Sequence, residues 1–375
     1  MKRAITVAII ALSCACSRAP EDGLAETSSS DLAVFAGGES LPQADARFRS
    51  DPRWLGGDAA YSVDLGGKRT LWLFGDTFVA TTPKNARSES KMVRNTVGIS
   101  RGDLADGAIE LAWRNGAGGV PASFFEEQGT SWHWPQHGAR LGTGGPLVLF
   151  FSVLRETPGE GLGFAQAGWR IARIDDADAP VSSWKHVWLD PPAPRFDAVV
   201  GSAVVRRDGF LVTVAYRSQG AHVGYLARFQ ESALLAGQVA AEWWAGPARG
   251  WVAEDALGGL PEAIMDEAGS ECSVHYDAKT QQWLHVASRG FGATTIAIRT
   301  APALEGPWSA PTDVFTPPEG GGKDVIVYAA KAHPQFVSSD GSLLVTYAAN
   351  SLDFPSLLTQ AGASLYWPRV VRLRR

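Results

Sequence analysis

The sequence predicts an all-β protein, a five-bladed β-propeller built of four-stranded antiparallel sheets. Two observations carry that prediction. One three-part unit of turn and strand signals recurs five times at a spacing of about 67 residues. The composition, with 41 Gly, 22 Pro and 14 Trp, suits many short strands joined by tight turns. A propeller needs such a repeat because each blade buries its faces only against its neighbours. The alternative, a sandwich-like all-β domain, would show no regular period.

The second strand of each unit is the plainest: Leu71-Trp72-Leu73-Phe74, Leu147 to Phe150, Phe210 to Val214, Trp283 to Val286 and Leu343 to Tyr347. Each is apolar, β-prone and of strand length. Turn chemistry precedes each one: Gly66-Gly67, Gly144-Gly145, Asp208-Gly209, Asp277-Ala278-Lys279 and Asp340-Gly341, residues that take positive φ or bond their own backbone. First strands are expected at Ala59 to Val63, Gln136 to Leu141, Val199 to Val205, Ser273 to Tyr276 and Ala332 to Val337. Third strands are expected at Thr96 to Ser100, Trp169 to Ile174, Val223 to Phe229, Thr295 to Arg299 and Leu365 to Leu373. Fourth strands follow at Leu111 to Arg114, Lys185 to Leu189, Glu242 to Trp244 and Pro311 to Phe315. The fifth unit runs out of chain, and Asp31 to Phe35 would supply its outer strand and close the ring. Helix signals are few, and Glu231 to Gln238 is the best of them.

A chain of 375 residues holds two domains or one large all-β unit, and no internal stretch resembles a linker. The single domain is therefore expected over residues 46–375. Lys and Arg total 34 against 39 Asp and Glu, a net charge of -5, which gives no electrostatic footprint for nucleic acid. Cys272 is alone in the body, so no disulfide forms within it. The chain reads as a monomer.

Residues 1–15 read as an export signal, with Lys2 and Arg3 before an apolar run too short to span a bilayer. The run ends at Ala11-Leu12-Ser13-Cys14-Ala15-Cys16, which resembles a bacterial lipobox. Cys14 fits the acylated position and Cys16 fits nearly as well; the alternative is a plain signal with incidental cysteines. A lipid there would tether the exported chain to a membrane without spanning it. Residues 16–45 then form a tether.

If first strands line a channel, their starting residues meet at one mouth. Counting back from the second strands reaches Asp58, Trp134, Asp197, Glu271 and Lys331. With the first turn centred between Gly66 and Gly67, Asp58 and Asp76 become neighbours across two strands. By the same count Arg289 falls near Glu271, and Asn350 near Lys331. Close carboxylates repel, so one keeps its proton while the other ionises, with basic neighbours tuning the pair. That is the equipment of glycoside hydrolysis. Asp58, Asp76 and Glu271 are the candidate catalytic residues; the competing view of Asp76 is a turn residue bonded to nearby N–H groups.

Substrate contacts are expected from Arg94, Asn95, Trp132, Trp134, His137, Tyr328, Lys331 and His333, besides Asp197, Arg289 and Asn350. Trp faces suit sugar C–H surfaces, though the same rings also serve to pack blades. The partner is then a polysaccharide or oligosaccharide. No Walker loop, His-Glu-x-x-His or Cys-x-x-Cys of the body is present. Seven scattered His residues make no zinc site; the carboxylates leave room for a calcium ion in the channel, and no other cofactor is called for.

Several stretches together resemble a known family: Gly57-Asp58-Ala59-Ala60-Tyr61-Ser62-Val63, Leu71-Trp72-Leu73-Phe74-Gly75-Asp76-Thr77-Phe78, Met92-Val93-Arg94-Asn95-Thr96, Gly306-Pro307-Trp308-Ser309, Tyr328-Ala329-Ala330-Lys331-Ala332-His333-Pro334 and Leu344-Val345-Thr346-Tyr347-Ala348-Ala349-Asn350. They are similar to secreted bacterial five-bladed propeller proteins of a largely uncharacterised domain family that includes endo-D-arabinanases. The resemblance runs from about residue 50 to the C-terminus. It implies endo-acting hydrolysis of arabinofuranosyl linkages by two first-blade carboxylates, here Asp58 and Asp76. The long loop from Glu156 to Gly168 bears on the shape of the cleft. Two other uses fit a propeller with stacking aromatics: a module that binds a glycan without cutting it, and a protein-interaction platform.

Overall fold

The computed structural model describes residues 35–82, 86–104, 107–159, 163–290, 294–336 and 338–375. Cys14, Cys16 and the export signal lie outside them. The described chain is all-β and dominated by antiparallel sheets. The first sheet holds Tyr61–Gly66, Arg69–Phe74, Thr96–Arg101 and Glu110–Ala112, in that order. The second holds Ser131–Arg140, Leu147–Glu156, Phe164–Ile174 and Val187–Leu189. The third runs Val199–Arg207, Phe210–Tyr216, Gly224–Gln230, Ala241–Trp244 and Trp251–Ala253. The fourth runs Cys272–Asp277, Gln282–Arg289, Thr295–Ala301 and Thr312–Phe315. In the fifth, Val325–Ala332, Leu343–Ser351 and Pro368–Arg374 are completed by Gly37–Ser40.

The strand that completes the last sheet thus lies just past the Asp31–Phe35 segment expected there, of which only Phe35 is described. One compact unit spans Phe35–Arg375. The first strand of the fifth sheet also departs from expectation, ending at Ala332 instead of beginning there. Pro334 explains the difference: it has no N–H for a ladder and opens a 3₁₀ turn, Pro334–Phe336. The predicted helix appears as Glu231–Leu235.

The sheets pack on one another in succession. Phe150, Ile171, Leu211 and Phe229 join the second to the third, and Val212, Leu226, Cys272 and Val274 join the third to the fourth. Leu71, Val97, Leu149 and Phe151 join the first to the second. Trp72, Phe74, Leu344 and Val370 bring the fifth onto the first, with Phe48 edge-on to Trp72 at 5.1 Å. Between the fourth and fifth, the hydroxyls of Ser273 and Ser288 accept the N–H groups of Ala332 and Ala330.

A further, three-stranded sheet was not anticipated. Trp54–Gly57 pairs with Thr77–Ala80, which pairs with Ser90–Val93. It prolongs the first hairpin beyond its own sheet and supports the loops that carry the acidic residues.

Candidate active site

Asp58 stands where the first hairpin changes sheets. Gly57 pairs with Thr77 and Tyr61 with Leu73 in one unbroken register, which leaves Asp58 opposite Asp76. Ala59 and Ala60 interrupt the strand with φ of 64° and 53°, a left-handed conformation uncommon outside Gly. The Gly75 N–H donates to the Asp58 carbonyl at 3.3 Å. A Cβ on Gly75 would lie 2.5 Å from Asp58 Oδ1, so only Gly lets the carboxylate approach this backbone.

Two phenols reach Asp58. Tyr328 and Tyr366 donate their hydroxyls to Oδ2 at 2.6 and 3.3 Å, and Asn350 Nδ2 donates to the Tyr328 oxygen at 3.2 Å. Burial, then the charges of Asp76 and Glu271, push the Asp58 pKa up to about 7 against the opposing phenol bonds. Asp76 accepts from Trp134 Nε1 at Oδ1, 2.9 Å, and from Arg94 Nη1 at Oδ2, 3.3 Å. Burial raises its pKa to about 6, while the Arg94 charge and these bonds pull it down and Glu127 adds to the rise. Both carboxyls therefore titrate near neutrality, the first above the second.

Glu271 meets Lys331, whose Nζ is 3.2 Å from Oε1. Lys331 is 1% exposed; its ammonium also donates to the carbonyls of Ala59 at 2.5 Å and Ala329 at 2.7 Å and sits 4.3 Å from the Tyr61 ring centre. Burial lowers its pKa, opposed by Glu271. Its role is to hold Glu271 and the strained turn after Asp58. Arg94 lies over the Trp132 ring at 4.1 Å, and Phe164 packs edge-on to Trp134 at 4.9 Å. Asp197 is exposed and accepts from Ser218 at 2.6 Å. Nearby, Arg195, Phe196, Glu254 and Leu260 line a surface cavity of about 410 Å³.

Five predicted residues have other partners than expected. Asn95 is fully buried and bridges Phe125 and His133 by three backbone bonds; its amide is consumed by loop closure. His137 receives the Val204 N–H on Nδ1 and contacts the Ser62 carbonyl through Nε2, and burial drops its pKa to about 4. His333 is likewise buried and bonded on both nitrogens, to Ser62 and Thr346. Both imidazoles pin sheets together. Arg289 turns to Asp313 at 3.5 Å and Glu267 at 4.0 Å instead of Glu271, because Cys272 pairs with Ala287 and sets Ser288 opposite Glu271. Asn350 pairs with Ile326 and meets Tyr328 rather than Lys331, which pairs with Thr346. Tyr366 and Glu127 were not anticipated; the acidic pair Glu126-Glu127 was the one available signal, and Tyr366 had none.

Among the described residues, no three His, Cys, Asp or Glu side chains gather to hold a metal ion. The site is an acidic cluster with aromatic and basic neighbours on an all-β scaffold. The model of a family described as a domain of unknown function, DUF5005, matches residues 43–375, and the chain belongs to that family. Among solved structures, a putative hydrolase from Bacteroides ovatus is similar at 15% identity and a TM-score of 0.67, over 89% of each chain; this likeness speaks for the fold. The catalytic domain of a Coprinopsis cinerea GH62 α-L-arabinofuranosidase matches at 11% identity and a TM-score of 0.45, over 86% of this chain and 92% of that one. An endo-arabinase from Bacteroides thetaiotaomicron matches at 13% and 0.42, over 85% and 94%. The curated proteins include no match.

Proposed function

We propose that this protein hydrolyses glycosidic bonds of a polysaccharide, with Asp58 and Asp76 as its paired carboxyl groups. The observation that carries the reading is the pair itself: two carboxyls opposed across one hairpin, with pKa values raised to about 7 and about 6 by burial and kept apart by different neighbours. Asp58, the more strongly raised of the two, retains its proton below neutral pH and in about half of the molecules at pH 7, and delivers it to the leaving oxygen. Asp76, beside Arg94, is the carboxylate that acts on water or on the anomeric carbon. Glu271 raises Asp58 by its charge and is itself held by Lys331. Trp134, Trp132 and Phe164 supply apolar faces for sugar rings.

The five larger sheets are read as the blades of a five-bladed propeller, with Gly37–Ser40 as the closing strand. The motifs around Asp58 and Asp76 favour arabinofuranosyl linkages as substrate. The N-terminal segment assigns the protein to the exported, lipid-anchored class, acylated at Cys14 or Cys16, and acting as a monomer. The test is a panel of arabinan, xylan, galactan and cell-wall polysaccharides assayed for new reducing ends beside a binding assay on the same glycans. Product from an arabinan supports the reading; binding without product would replace it with that of a glycan-binding module.

A further inference from the structure

Arg87 is buried, 8% exposed, and among the described residues none of its hydrogen bonds goes to a carboxylate. All five go to backbone carbonyls. Nε and Nη2 donate to Leu55 at 3.0 and 2.8 Å. Nη2 also donates to Leu365 at 3.0 Å, and Nη1 to Leu357 at 3.1 Å and Gly362 at 3.3 Å. The guanidinium lies against the rings of Phe78 and Trp367, 5.3 and 5.9 Å from their centres. Burying a cation without an anion is unfavourable, and burial lowers the Arg87 pKa to about 10. The titratable groups that bear on it are the Tyr366 phenol and the Arg49 guanidinium.

What the five bonds join explains why a cation stands there. Leu55 lies on the strand that delivers Asp58, and Leu365 immediately precedes Tyr366, whose hydroxyl reaches Asp58. The two segments meet so closely that a Cβ on Gly56 would fall 2.3 Å from the Tyr366 carbonyl and 3.0 Å from Arg87 Nη2. Tyr366 itself is held at φ 65°, a conformation its neighbours must impose. A planar fork with five donors is suited to fixing several carbonyls at once.

We infer that Arg87 is a positioning residue: it clamps the Leu55 and Leu365 segments together so that the Tyr366 hydroxyl meets Asp58. The inference rests on Asp58 being a working carboxyl group of the proposed site. Besides Tyr366, the groups bearing on Asp58 are Tyr328, Asp76, Glu271 and Lys331, and none of them hydrogen-bonds Arg87.

The experiment follows the Asp58 carboxyl by ¹³C NMR titration in the full chain, with Asp58→Asn as the assignment control and thermal melting beside it. Tyr366→Phe removes a bond that favours ionised Asp58, so its midpoint rises by roughly half a pH unit. Arg87→Met raises the midpoint in the same direction, and Arg87→Met/Tyr366→Phe raises it no further than Tyr366→Phe alone. Arg87→Lys, the variant to use should Arg87→Met not fold, gives a smaller rise. An Asp58 midpoint unchanged in a folded Arg87 variant, with Tyr366→Phe shifted, would overturn the inference, as would no shift in Tyr366→Phe. Failure to cut any glycan would defeat the proposed activity and leave this titration readable.

Discussion

Asp58 and Asp76 face each other across a hairpin whose register is the same on both sides of them, Gly57 with Thr77 and Tyr61 with Leu73. The strand is bent between those pairs by two alanines in left-handed conformation. Backbone strain of this kind is retained where surrounding contacts impose it. Lys331 imposes it here through the Ala59 carbonyl.

Replacing either member of the pair by Asn removes a proton donor or a carboxylate without changing shape. Asp58→Asn and Asp76→Asn should each lower glycan cleavage about a thousandfold, within the range for loss of acid–base catalysis. Circular dichroism and melting temperature should show an intact fold. Full activity in either variant removes that residue from the mechanism.

The same shifts make a stability prediction. A carboxyl whose pKa is raised on folding binds its proton more tightly in the native state, so its contribution is greatest at low pH. That contribution is lost as pH rises from the ordinary value near 4 to the folded value of about 7 for Asp58. Asp58→Asn does not titrate. Its melting temperature relative to wild type should therefore climb between pH 4 and 7, and a difference that stays constant across that window contradicts the assignment. Comparing the two proteins at each pH cancels the opposite contribution of the buried histidines, such as His137 and His285, whose pKa values are lowered by burial.

Much of this was legible in the sequence, for a physical reason. Counting from a turn centred on Gly66-Gly67 sets residue 58 opposite about residue 75, which makes Asp58 and Asp76 neighbours; the turn forms at Gly67-Lys68 with a register shift between Asp64 and Gly66, and that one-residue difference brings Asp76 opposite Asp58. Side chains consumed by structural hydrogen bonds were not legible: Asn95 and His137, bonded to backbone, and His333, bonded to the Ser62 and Thr346 hydroxyls, have the residue types of a binding site but spend their polar atoms holding loops and sheets together. Tyr366 could not be found either, because it approaches Asp58 through the irregular segment between Ser351 and Pro368, whose path no periodicity encodes. The strand opening the fifth sheet was displaced for a similar reason, its apolar run continuing through Pro334 where the ladder stops.

Trp134 donates its indole N–H to Asp76, and its ring face is one of those proposed to stack on a sugar. Trp134→Phe keeps a ring and removes the donor. A loss of roughly tenfold in kcat with little change in KM is expected, matching one lost hydrogen bond to a charged group. A change confined to KM would assign the residue to substrate packing alone.

Lys331 tests the buried side of the cluster. Lys331→Met leaves Glu271 without its cation and two carbonyls, of Ala59 and Ala329, without their donor. Breaking a buried pair from one side costs about 3–5 kcal/mol, which chemical denaturation would read. Adding Glu271→Gln should recover part of that loss, and a double variant no more stable than Lys331→Met alone would show that the ion pair contributes little.

Arg94 distinguishes the two carboxyls: its charge and its bond to Oδ2 lower Asp76, while Asp58 is bonded by two phenols and raised by the charges of Asp76 and Glu271. Arg94→Gln should shift the acid limb of the pH–rate profile to higher pH, with Arg94→Lys restoring part of the difference. An unchanged acid limb would mean that Asp76 is not the ionised partner.

The pH dependence of kcat/KM on a cleaved glycan tests the central claim most directly. A pair titrating at about 6 and about 7 gives a narrow bell, its acid limb set by ionisation of Asp76 and its basic limb by loss of the Asp58 proton. A rate that stays level from pH 5 to pH 8 would contradict it.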